Sequence, residues 1–136
     1  MRGATLFVFE GSASAREALR LRLGERYSSV HVTGDVDVAL ELLARLEPDV
    51  AIVDLDLMER SGSAVCERLA ELQTSTDVRV MGVGLQTPRI RRELASRISV
   101  ARELLRPASP RKLIRLVEEL LDPWERAGSV WGRDRQ

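Results

Sequence analysis

The 136-residue sequence predicts an α/β protein built on one doubly wound, parallel, five-stranded sheet. Three observations predict it. Five short apolar runs alternate with longer amphipathic stretches. One run, Asp49-Val50-Ala51-Ile52-Val53-Asp54, is apolar on both faces, as a strand in the middle of a parallel sheet must be. The length is that of one ordinary domain with a sizeable core.

The elements follow in order. Thr5 to Phe9 is rich in aromatic and β-branched residues and reads as the first strand. Ser12 or Ser14 caps a helix to about Leu23, with Ala15, Leu19 and Leu23 on one face and Gly24 ending it. Ser29 to Thr33 is a short second strand. Asp35 caps the next helix, with Ala39, Leu40, Leu43 and Leu46 inward. Pro48 breaks the chain before the third strand, and Gly62 ends the loop after it. Val65, Leu69 and Leu72 then have helical spacing. Val78 to Val83 is a fourth strand, and Pro88 sits in the first turn of the helix after it. Ser99 to Leu105 is a fifth strand, stopped by Pro107. Ser109-Pro110 opens a last helix that buries Leu113, Ile114, Val117, Leu120 and Leu121. Residues 1–122 form the domain; 123–136, with Trp124 and Trp131, form a polar tail.

Composition narrows the function. Twenty-one basic residues balance twenty-one acidic ones, which argues against a surface built for nucleic acid or an anionic membrane. Twenty of the basic residues are Arg; Lys112 is the sole Lys. One Cys, Cys66, excludes an internal disulfide and a Cys-based zinc site; one His, His31, argues against a His-based metal site or triad. Cys66 reads as core and His31 as structural or exposed. No apolar run is long enough to span a membrane, and the expected location is the cytoplasm.

Ligands of open α/β sheets bind at the carboxyl ends of the strands. There the sequence places Glu10 and Gly11 after strand one, Thr33 and Gly34 after strand two, Asp54 and Asp56 after strand three, Gly84 after strand four, and Arg106 after strand five. Three carboxylates in one crevice repel each other unless a cation joins them. Mg²⁺ suits oxygen ligands, and the Arg106 guanidinium is the alternative.

Residues 5–121 resemble the receiver domain of two-component response regulators, a flavodoxin-like (βα)5 fold. The likeness rests on Pro48-Asp49-Val50-Ala51-Ile52-Val53-Asp54, on Gly62 eight residues after Asp54, and on Arg106-Pro107 at the place of a Lys-Pro pair. The resemblance implies Asp54 as acceptor of a phosphoryl group from a histidine kinase. It implies Glu10, Asp54 and the Asp56 carbonyl as Mg²⁺ ligands. Transfer in such sites works by positioning and charge neutralisation.

The departures from the family pattern concern the same site. The second acid of the metal pair is Gly11. The Ser/Thr position is Gly84, the switch aromatic is Glu103, the phosphate-contacting Lys is Arg106, and the usual Pro after the acceptor is Met58. A missing carboxylate weakens Mg²⁺, which Asp56 offsets in part if its side chain turns inward. Arg does not reproduce a compact ammonium. The expectation is a non-enzymatic pseudo-receiver, acting through protein–protein contact with an impaired or absent phosphorylation switch. Its output comes from a partner or from chain outside these residues. A receiver still phosphorylated on Asp54 is the alternative. A flavodoxin-like cofactor protein, with Gly11-Ser12-Ala13-Ser14 cradling phosphate, is a third. The expected partner face carries Arg89, Ile90, Arg92 and Leu94 on the helix after strand four. With strand five and the last helix it would serve a histidine kinase, a downstream effector or a second copy of the chain.

Overall fold

The computed structural model describes residues 2–84 and 96–122. The order is β1 (Arg2–Phe9), α1 (Ala13–Gly24), β2 (Tyr27–Thr33), α2 (Val36–Arg45), β3 (Val50–Asp54), α3 (Leu55–Ser61), α4 (Ser63–Ser75), β4 (Arg79–Gly84), β5 (Val100–Leu105) and α5 (Pro110–Leu121). The strands form one parallel sheet in the order β2-β1-β3-β4-β5. This is the predicted flavodoxin-like sheet. The helix from Pro88, the Arg89, Ile90, Arg92 and Leu94 face, and the tail 123–136 lie outside the described residues.

Side chains alternate across the strands, so the sheet makes two cores. Phe7, Phe9, Ala51 and Val53 pack with α2, α3 and α4; Leu6, Val8, Val50 and Ile52 pack with α1 and α5. Every residue of β3 is buried, as its doubly apolar sequence requires. The predicted caps are in place. Ser12, Asp35 and Ser109 each accept from the backbone N–H three residues on, in Ala15, Val38 and Lys112. All five apolar residues expected inward on α5 are buried. Lys112 is exposed in its first turn.

Several boundaries are corrected. β1 and β2 begin earlier than expected, at Arg2 and Tyr27, because Arg2 pairs with Tyr27 in the ladder and the Tyr27 ring is buried in the core. Gly24 does not end α1 as a left-handed cap; it stays helical and Glu25 is the C-cap. Leu40 and Leu46 are half-buried.

The largest correction lies between Asp54 and Gly62, which is helix rather than loop. Asp54 caps α3 by accepting from Asp56 N–H and Leu57 N–H. Leu55, Leu57 and Met58 are buried beneath it. Gly62 joins α3 to α4 by donating to the Met58 carbonyl at 2.9 Å. A Cβ on Gly62 would stand 2.7 Å from Met58 Cα and 3.1 Å from the Phe9 ring, so the joint needs a residue without one.

Candidate functional site

Strand register builds the site. Phe9 pairs with Val53, so Glu10, just past the end of β1, and Asp54, the last residue of β3, stand side by side. Gly84 pairs with Leu105, so Arg106 leaves β5 toward the same point. The chain order reverses between β1 and β3, where open α/β sheets hold ligands. The Arg106–Pro107 peptide is cis.

Glu10 and Asp54 are buried, at 4% and 5% exposure. Arg106 meets both: Nη2 is 2.6 Å from Glu10 Oε1 and 3.2 Å from Asp54 Oδ2, while Nε is 3.8 Å from Asp56 Oδ2. The predicted convergence of Glu10, Asp54, Asp56 and Arg106 is therefore present, centred on the guanidinium. The backbone engages the remaining carboxylate oxygens. Asp54 Oδ2 accepts from Gly11 N–H at 3.0 Å, and Asp54 Oδ1 accepts from Asp56 N–H and Leu57 N–H at 3.1 Å each. Glu10 Oε2 accepts from Ser12 N–H at 2.7 Å. An apolar cavity of about 120 Å³ between α1 and α5, walled by Ala15, Ala18, Leu19 and Leu113, lies against this ion pair.

The positions that depart from the family pattern have structural counterparts. At Gly11 a Cβ would stand 3.2 Å from Asp54 Oδ2 and 3.5 Å from Arg60 Nη2. At Gly84 it would stand 2.9 Å from Asp56 Oδ2. The Asp56 side chain thus leans inward, over Gly84. Glu103 is exposed on β5. Among the described residues, no three His, Cys, Asp or Glu side chains gather in a metal-holding group.

Sequence reasoning missed Arg16. Its Nη1 donates to the carbonyls of Glu10 and Gly11, at 2.9 and 3.0 Å. This ties α1 to the loop carrying Glu10. Gly34 leaves the room: a Cβ there would be 2.5 Å from Arg16 Nη1 and 2.6 Å from the Glu10 carbonyl oxygen. The available signal was a base in the first turn of a helix, where the dipole favours acids. Thr33, expected only as a strand end, accepts the Glu10 N–H through its carbonyl at 2.9 Å. His31 shares a hydrogen bond with Ser29 Oγ. Cys66 is buried, and burial pushes its thiol pKa up, as suits a core residue.

Burial alone would raise the Asp54 pKa. The Gly11 and Leu57 N–H groups and the Arg106 charge outweigh it and hold the carboxyl below its ordinary value. For Arg106, burial opposes the charge but Glu10 and Asp54 hold it firmly protonated. A carboxyl with a lowered folded pKa contributes fully above its unfolded value of about 3.9, and that contribution disappears as pH falls through the folded value. Stability of the native chain should therefore decline below about pH 4, and Asp54→Asn should flatten that decline in urea titrations across acid pH. An equally steep decline in the variant would assign it to other groups.

Comparison with known proteins gives a consistent result. A family model described as the response regulator receiver domain matches residues 6–118. No curated protein sequence matches. Solved structures do. A response regulator receiver protein from Burkholderia phymatum is 24% identical with a TM-score of 0.67, covering 87% of this chain and 94% of that one. The signal receiver domain of a modulated diguanylate cyclase from Desulfovibrio desulfuricans G20 is 21% identical with a TM-score of 0.70, covering 88% and 94%. A CheY-like response regulator protein from Mesorhizobium loti is 19% identical with a TM-score of 0.66, covering 88% and 99%.

Proposed function

Because the chain belongs to the response regulator receiver domain family, we propose that it is a receiver module whose signalling does not run through phosphorylation of Asp54. Receiver domains are signalling modules of two-component systems that interact with histidine kinases and effectors, and they typically hold Mg²⁺ at the phosphorylation site. The present chain keeps the scaffold and the acceptor aspartate and lacks their usual company.

The observation that carries this reading is the state of the Asp54 carboxylate. A phosphoacceptor must present one oxygen in line with the incoming phosphorus, with cations and donors placed around the phosphoryl oxygens. Here Oδ1 caps α3, and Oδ2 accepts from Gly11 and pairs with Arg106. Gly84 carries no hydroxyl to receive a phosphoryl oxygen, and Glu103 replaces the aromatic that would report its arrival. Arg106, bound to three carboxylates, is already neutralised. The module then acts in the cytoplasm, without catalysis of its own, by presenting one fixed conformation to a protein partner.

Incubation with a small-molecule phosphodonor and Mg²⁺, followed by intact-mass measurement, tests this. The expected spectrum lacks an adduct of about 80 Da, the mass of a phosphoryl group. A stoichiometric adduct that disappears in Asp54→Asn would establish the alternative, a phosphorylated receiver.

A further inference from the structure

We infer that Arg106 supplies the cation of the acidic site itself, so that the guanidinium stands where the family's divalent metal would be and the folded chain binds no Mg²⁺ there. The inference deepens the reading of Asp54 as an unphosphorylated residue and rests on it. Its first support is position. Mg²⁺ requires near-octahedral oxygen ligands at roughly 2.1 Å. The point that bridges Glu10 and Asp54 is already taken by Nη2, 2.6 Å from Glu10 Oε1 and 3.2 Å from Asp54 Oδ2. A dication at that point would face a half-buried positive charge at close range, and the two would repel.

The second support is that the neighbouring departures fit the guanidinium. Nε faces Asp56 Oδ2 at 3.8 Å, and the Asp56 carboxylate fills the space beside Gly84. A side chain at 84 would need Asp56 to move, and a moved Asp56 would no longer face Arg106. An acid at 11 would press on Asp54 Oδ2 and lie beside Arg60. Gly11, Gly84, Asp56 and Arg106 thus form one mutually compatible set. The third support is commitment of the ligands: both oxygens of Glu10 and both of Asp54 already accept hydrogen bonds or pair with Arg106. A planar guanidinium, fixed in charge and able to fork between carboxylates, suits this task better than an ammonium.

The test uses the full chain, with Mn²⁺ as paramagnetic probe in amide NMR spectra and Mg²⁺ in thermal denaturation, against NaCl of equal ionic strength. The native chain should show no saturable broadening at the Gly11 and Leu57 amides and no Mg²⁺-specific rise in Tm. Arg106→Gln leaves three carboxylates without their cation. Its Tm should fall, saturable Mn²⁺ broadening should appear at those amides, and Mg²⁺ should restore part of the Tm. If that variant does not fold, Arg106→Lys retains a charge on a slimmer group and should also gain Mn²⁺ broadening.

Saturable Mn²⁺ binding in the native chain, abolished by Asp54→Asn, would overturn the inference. So would a folded Arg106→Gln that binds no Mn²⁺ and does not respond to Mg²⁺. The outcomes separate from those of the phosphodonor experiment. Phosphorylation in the presence of a chelator would refute the functional reading and leave the metal-free site standing. Metal binding without phosphorylation would do the reverse.

Discussion

Asp54→Ala should lower the unfolding free energy by about 3 kcal/mol in urea denaturation at neutral pH, combining a lost helix cap with a buried donor left unpaired. Two losses make up this figure. Asp54 Oδ1 is the cap of α3, accepting from Asp56 and Leu57 N–H, and such a cap is worth about 1 kcal/mol. The Leu57 N–H that pairs with Oδ1 is buried, and a buried donor without a partner costs about 1–3 kcal/mol, whereas the Gly11 N–H that pairs with Oδ2 lies in an exposed residue and adds little. Arg106 retains Glu10, so the ion pair is weakened rather than orphaned. Asp54→Asn keeps an acceptor for the α3 amides and should lose about half as much. Equal losses in the two variants would show that charge, not capping, sets the effect. Near-wild-type stability in Asp54→Ala would refute the cap altogether.

Phe9→Ala should cost about 4 kcal/mol, in the range for removing a buried aromatic side chain. Phe9 is completely buried, and its ring packs under the α3–α4 joint near Gly62. Its neighbours in β1 and β3 are fixed by the parallel ladder, so the void has little means of closing. Phe9→Leu should cost about 1 kcal/mol, because most of the volume is kept. Because Phe9 precedes Glu10, the alanine variant should also disturb the Glu10–Arg106 contact, read as altered side-chain NMR signals of Arg106. A loss below about 2 kcal/mol would mean that α3 collapses into the space.

The strands and long helices were legible because their signals are local. β3 is apolar throughout, and α5 carries a Ser cap, a Pro in the first turn and five apolar residues on one stripe. α3 was not legible. It has seven residues, too few for a period to declare itself, and its cap is the strand-end aspartate that chemistry had already claimed. The convergence of Glu10, Asp54, Asp56 and Arg106 followed from topology, since each ends or follows a strand of a parallel sheet. What topology does not convey is which atom each side chain meets. That Asp56 turns over Gly84, and that Arg16 reaches the Glu10 and Gly11 carbonyls past Gly34, depends on long-range packing.

The double duty of the Asp54 side chain bears on how lineages of such domains diverge. A residue that only received phosphate would drift once its kinase was lost. A residue that also starts a helix continues to be selected whenever the protein must fold. An aspartate at this strand end is therefore poor testimony for an active phosphorelay. On the proposed reading, better testimony would be its company at positions 11, 84 and 106, where this chain has Gly, Gly and Arg.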